Sequence, residues 1–116
     1  MIIQFEFNGL PPSANSCYPT SRSGRRFKSG KYKDFQTLFS IAAKKHKPQL
    51  PLIGNLKCEY DFYWLDKRRR DIGNLEKALS DTLTQMGFWN DDSQITVLHM
   101  ERHTGNPLTV IRITEI

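Results

Sequence analysis

An α+β fold, with two helices packed on a mostly antiparallel mixed sheet, is predicted by three features of the 116-residue sequence. Four segments carry apolar residues in the alternating pattern of strands, and two longer ones repeat them every three to four residues, as helices do. These segments follow in the order β-α-β-α-β-β, which suits one layer of helices on one sheet. The length fits a single domain spanning residues 1–116, and seven Phe, four Tyr and two Trp supply bulky core material although apolar residues make up only 38% of the chain.

Residues Ile2 to Phe7 read as the first strand, with Ile3, Phe5 and Phe7 on one face and Gln4 and Glu6 on the other. The run Gly9-Leu10-Pro11-Pro12-Ser13 stops it. From Pro11 to about Lys28 the chain has no apolar period, which predicts a long loop that orders on a ligand. Ser29 can cap a helix whose apolar positions are Tyr32, Phe35, Leu38, Phe39, Ala42 and Ala43, ending before Pro48. A second strand is expected over Leu56–Leu65, with Leu56, Cys58, Tyr60, Phe62 and Trp64 on one face. The second helix is predicted from about Asn74 to Met86, because Leu75, Ala78, Leu79, Thr82, Leu83 and Met86 form a stripe and Gly87 supplies the stop. Its polar face carries Asn74, Lys77 and Asp81. Two final strands, Ser93–His103 and Leu108–Ile113, are joined by Thr104-Gly105-Asn106-Pro107, which reads as a hairpin connection.

Lys and Arg outnumber Asp and Glu by 17 to 12, and this balance favours a polyanionic partner without requiring one. The positive residues cluster at Arg22, Arg25, Arg26, Lys28, Lys31 and Lys33, at Lys44, Lys45 and Lys47, and most densely at Lys67, Arg68, Arg69 and Arg70. The middle group suits the end of a helix. Two cysteines, Cys17 and Cys58, show neither CxxC spacing nor a disulfide framework, so a reducing, cytoplasmic setting is expected. The opening Met1–Phe7 stretch is too short for a signal peptide, and the absence of a long apolar run argues against a membrane partner.

The segment from Lys67 to Lys77, followed after one helix by Phe88-Trp89-Asn90-Asp91-Asp92-Ser93-Gln94, joins four cations to carboxylates in the loops at both ends of the helix. Arginines beside a strand end can neutralise DNA phosphates. Asp71 taken alone would repel the same phosphates, so its position makes sense if Mg2+, which prefers oxygen ligands and keeps several waters, lies between them. The plainer reading stands beside this one: Asp71 favours a helix N-terminus, Asp91 and Asp92 form a turn, and Lys77 pairs with Asp81 four residues on.

The run Arg68-Arg69-Arg70-Asp71-Ile72-Gly73-Asn74-Leu75-Glu76-Lys77-Ala78, then Gly87-Phe88-Trp89 and Asp91-Asp92-Ser93-Gln94-Ile95, resembles the central signature of the RusA family of Holliday-junction resolvases. Pro11-Pro12-Ser13-Ala14-Asn15, Tyr18, Lys28-Ser29 and Tyr32-Lys33 are similar to that family's opening pattern. The resemblance implies a small homodimeric endonuclease, often linked to phages or prophages, that cuts four-way junction DNA with Mg2+ in recombination and repair. It implies Asp71 and Asp92 as catalytic metal ligands, Asp91 as a secondary acidic position, Lys77 near the scissile phosphate, and Asn74 as the motif's asparagine. Lys67, Arg68, Arg69, Arg70, Asn74, Arg22, Arg25 and Arg26 are the expected DNA contacts.

Gly73 departs from the pattern, standing where the family's Asp-x-Asp-Asn motif has its second aspartate. Three accounts are compatible with it: loss of cleavage with binding retained, an introduced inactivating change, or replacement by Glu76, Asp91 or Asp81. Weakened or lost cleavage ranks above full compensation, and a catalytically inactive junction-binding module is the alternative function. Two other features carry less. His99, Glu101 and His103 alternate on a predicted strand and could ligate a transition metal, although a strand face that starts with Ile95 and Val97 and becomes solvent-exposed explains them more simply. Phe88 and Trp89 could stack on an unpaired base, with core packing the expected role for at least one of them.

Overall fold

The computed structural model describes residues 1–17, 24 and 28–116. In chain order the elements are β1 (Ile2–Phe7), a single helical turn α1 (Ala14–Cys17), α2 (Gly30–Ala43), β2 (Leu56–Tyr63), α3 (Ile72–Met86), β3 (Ile95–His103) and β4 (Leu108–Glu115). Short 3-10 turns at Lys44–His46 and Asp92–Gln94 follow α2 and precede β3.

The start of the expected structureless loop is built in. Pro11, Pro12 and Cys17 are buried, and the Ser29 N–H donates to the Cys17 carbonyl at 2.8 Å. The Ser29 hydroxyl then accepts from the Tyr32 N–H at 3.1 Å, the expected cap of α2. Tyr32, Phe35, Phe39 and Ala43 enter the core, but Leu38 is 61% exposed and lies outside the buried stripe to which the periodicity assigned it. Helix α2 tightens into the 3-10 turn and ends at Lys47, whose extended ψ of 132° is what a residue before proline requires.

The sheet runs β1-β4-β2-β3, with β1–β4 and β4–β2 antiparallel and β2–β3 parallel. This corrects the hairpin reading of residues 104–107. Strands β3 and β4 are consecutive, yet β2 lies between them, and their connection passes the end of β2. There Trp64 N–H donates to the His103 carbonyl at 3.2 Å and Gly105 N–H to the Trp64 carbonyl at 3.5 Å. The physical reason is burial: Leu56, Cys58, Tyr60 and Phe62 are all fully buried, so the strand that carries them takes a central place with a partner on each side. A β-bulge between Leu56 and Lys57 pairs Leu56 with Ile95 but Lys57 with Val97. Ile95 therefore packs toward the core, while Val97 shares the outer face with His99, Glu101 and His103, which corrects the expectation that Ile95 begins that face.

One contiguous core joins the inner faces of β1, β2 and β4 to α2 and α3. Phe39 sits at its centre, with ring centroids 6.0 Å from Phe5, 5.4 Å from Phe7 and 5.4 Å from Phe35. Phe39→Ala is expected to lower stability by about 3–5 kcal/mol. Urea unfolding should show this as an earlier midpoint at unchanged slope.

Candidate nucleic-acid and metal site

β2 delivers the chain into the basic loop. Trp64 ends the buried row, and its indole is covered by two guanidinium groups, Arg102 at 4.3 Å and Arg70 at 5.3 Å from the ring centroid. Arg70 also grips Asp66 through both of its terminal nitrogens, at 3.0 and 3.4 Å. That hydrogen bond, with a second from the Arg68 N–H, holds the Asp66 carboxyl below its ordinary pKa. Arg70 is thus fixed in place, and the exposed Lys67, Arg68 and Arg69 are the free cations of the cluster.

Helix α3 starts one residue later. Asp71 is its N-cap: Oδ1 accepts the Gly73 N–H at 2.8 Å, and its backbone carbonyl accepts from Asn74 and Leu75. Beside this terminus lies a cavity of about 730 Å³. Its walls are Asn8–Ser13, Lys31, Phe35 and Leu38 on one side and Arg68, Arg69, Arg70, Asp71, Asn74 and Leu75 on the other. Leu38, unexplained as a core residue, is part of this wall. The cleft therefore combines cations for phosphates, an apolar floor, and one carboxylate at the positive end of a helix.

The remaining acidic residues lie elsewhere. Asp92 hydrogen-bonds the Thr84 hydroxyl and accepts from Trp89 Nε1 at 3.3 Å, and Trp89 Nε1 also donates to Thr84 Oγ1 at 2.7 Å. From Asp71 to Thr84 the helix rises by about 20 Å. Asp71 and Asp92 thus stand near opposite ends of α3 and do not converge in one chain, contrary to the expectation of a shared intrachain metal site. Lys77 is exposed between them, about 9 Å of helix from Asp71.

Asp91 accepts from Ser93 N–H at 3.0 Å and caps the 3-10 turn, in a reciprocal box with Gln94. Gln94 completes it by accepting from Asn90 and Asp91 N–H groups while donating to the carbonyls of Leu52 and Gly54. Asp91 is exposed but structurally committed. Glu76 does not replace the missing carboxylate at Gly73. It accepts from Ser80 Oγ at 2.6 Å, and Ser80 is bonded to the buried Tyr60 hydroxyl at 2.9 Å, so Glu76 points away from the head of the helix. Phe88 and Trp89 are both buried, with Phe88 stacked 5.9 Å from Phe5, so the base-stacking reading fails for both. Arg22, Arg25 and Arg26, with Tyr18 and Phe27, lie outside the described residues. Cys17 and Cys58 are buried thiols pushed up to about 11 chiefly by desolvation, which makes neither a nucleophile at neutral pH.

Sequence reasoning left Asp81 in a supporting role, but the fold presses it against Asp92. Partial burial first, then the hydrogen bond to Asp92, pushes its carboxyl up to about 6, against the opposing charge of Lys77. Only the return of the chain after Gly87 brings the two together, and no spacing along one helix shows that.

The sequence profile described as Endodeoxyribonuclease RusA matches residues 9–114. The chain belongs to the RusA family. Relatives named crossover junction endodeoxyribonuclease RusA include one from Escherichia coli, 35% identical over 85 residues, covering 73% of this chain and 70% of the relative. One from Enterobacteria phage 82 gives the same identity and coverage. Another from Escherichia coli is 32% identical over 109 residues, 91% of this chain and 89% of the relative. The matched region includes Arg68 to Ile95 and all of the cleft lining from Gly9 onward.

A carboxyl raised above its unfolded value adds stability below about pH 4 that is lost as pH rises through about 6. Asp81→Asn should remove this contribution. Melting temperatures measured from pH 4 to 7 are expected to fall less with rising pH in the variant than in the parent.

Proposed function

We propose that this chain is a Holliday-junction resolvase, a Mg2+-dependent endodeoxyribonuclease that acts on four-way junction DNA as a homodimer in the cytoplasm, with cleavage weakened at Gly73. The observation that carries the reading is the Asp71 carboxylate at the head of α3, in a cleft it shares with Arg68, Arg69 and Arg70. A carboxylate facing the same cleft as these arginines has no use in binding phosphates unless a cation bridges the two. The resolvase names of its relatives bring the substrate class. No helix among the described residues is long and apolar enough to cross a membrane.

The donor set fits Mg2+, which takes one or two carboxylates plus substrate oxygens and water. Asp71 would hold it through the oxygen that does not cap the helix, with Asn74 beside it. Bound there, Mg2+ would polarise the phosphate and make a bound water more acidic. Arg68 and Arg69 neutralise the flanking phosphates. Lys77, whose side chain leans toward the helix N-terminus, stabilises charge on the leaving oxygen. Asp92 reaches an ion on Asp71 only from a second copy, which gives the homodimer a chemical purpose and matches the approximate twofold symmetry of a junction.

Gly73 supports the second reading, a junction-binding module without cleavage. Its backbone has no positive φ, and a Cβ there would meet only Asp71 Oδ1, at 3.2 Å. A Cβ therefore fits with a shift of a few tenths of an ångström in the Asp71 side chain. Gly73→Asp is expected to raise Mg2+-dependent cleavage of a synthetic four-way junction by more than about tenfold. If both forms bind and neither cuts, the binding module is the correct reading.

On the Gly73→Asp background, mixing Asp71→Asn chains with Asp92→Asn chains should recover cleavage that neither has alone. Continued inactivity of the mixture would reject a site shared between copies. Replacing both Arg68 and Arg69 by Ala should reduce the slope of log affinity against log salt by about two. An unchanged slope would remove them from the interface.

A further inference from the structure

We propose that the outer face of β2 and β3 holds a second divalent-ion site, built from Asp61, Glu101 and His103 with His99 beside Glu101, and suited to zinc or a similar transition metal. It shares no residue with the lining of the Asp71 cleft and is independent of the nuclease reading. His103 Nε2 lies 2.7 Å from Asp61 Oδ1 and 3.6 Å from Glu101 Oε2, and His99 Nε2 lies 3.2 Å from Glu101 Oε1. One donor atom each from Asp61, Glu101 and His103 falls within 4.8 Å of the others. In a tetrahedral site with bonds of about 2.0–2.1 Å, neighbouring donors stand about 3.3 Å apart. The contacts bracket that value.

The backbone produces this cluster for definite reasons. Register pairs Asp61 with Glu101 and Tyr63 with His103 across the parallel ladder, and the bulge at the start of β3 turns His99, Glu101 and His103 to the face opposite the helices. The Tyr63 ring stacks on His103 at 4.6 Å and 23°, holding the imidazole plane, and the Asp61 contact fixes which edge it presents. Asp61, Glu101 and His103 all reach solvent, so an ion can enter.

Two carboxylates facing the imidazoles leave negative charge that the neighbouring cations do not meet. Arg112 lies 3.8 Å from Glu59, and Arg102 is on the inner face over Trp64. Imidazole nitrogen selects zinc, cobalt, nickel or copper over Mg2+, which prefers an all-oxygen set. Strand β3 is a sheet edge, paired only with β2, and an ion here would clip it to its neighbour. The clip would sit where the chain turns into the basic loop, because the His103 carbonyl also receives the Trp64 N–H.

The test is titration of the metal-free full chain with zinc chloride by calorimetry, and with cobalt chloride by visible absorption. One high-affinity ion per chain, cobalt bands of tetrahedral intensity, a raised melting temperature and no competition from excess Mg2+ are expected. His103→Ala and Asp61→Asn should weaken zinc binding by more than about tenfold, and the more exposed His99→Ala should do so with unchanged circular dichroism. Asp71→Asn should leave zinc binding as it was. Equal binding by the parent and all three ligand variants, or binding only at millimolar zinc, would overturn the proposal.

Discussion

The burial of one face of β2 governs everything else in this molecule. Leu56, Cys58, Tyr60 and Phe62 are sealed beneath the helices, more completely than Ile3, Phe5 and Phe7 of the edge strand β1. With β2 in the centre, β3 must lie parallel on one side and β4 antiparallel on the other. The strand's far end then fixes Trp64, Trp64 fixes the arginines, and the chain turns from there into the cap of α3. The buried Tyr60–Ser80–Glu76 chain of hydrogen bonds ties the same strand to the helix that follows it. Site and core are thus two ends of one constraint.

Local signals were the legible ones. Ser29 caps α2 and Gly87, at φ 90°, ends α3, because a cap hydrogen bond and a left-handed residue are decided within a few positions. The cationic loop and Asp71 were readable for the same reason, since a strand end, a loop and a helix start are contiguous. Non-local facts were not. Nothing in Thr104–Pro107 says that β2 will lie between the strands it joins, and a single bulge is enough to reverse the facing of Ile95 relative to Val97. Asp71 and Asp92 looked like partners because they flank one helix, yet flanking a 15-residue helix means being separated by its length. Trp89 and Phe88 follow a turn that folds inward, where their large apolar surfaces are worth more than exposed stacking.

Electrostatics divides the polar side of α3 into two regimes. At its N-terminus the Asp71 carboxylate caps the positive end of the helix and lines a cleft with Arg68, Arg69 and Arg70. Toward its C-terminal half Asp81 and Asp92 crowd each other in partial burial, and Asp81 gives way by holding its proton to higher pH. The glycine at position 73 adds no charge to the first regime, and the Asp71 cap needs only the backbone N–H that it supplies.

The indole of Trp64, clasped by guanidinium planes from two different segments, has a kinetic meaning. Arginine loops usually lose considerable rotational freedom when they close on a polyanion. Here Arg70 has lost it already on folding, through the ring and through Asp66. The loop is therefore hinged at a rigid post, and the side chains of the cluster left free to move are those of Lys67, Arg68 and Arg69. Such a hinge narrows the arc over which those three side chains sweep, and so lowers the entropy they would lose on closing over an anionic partner.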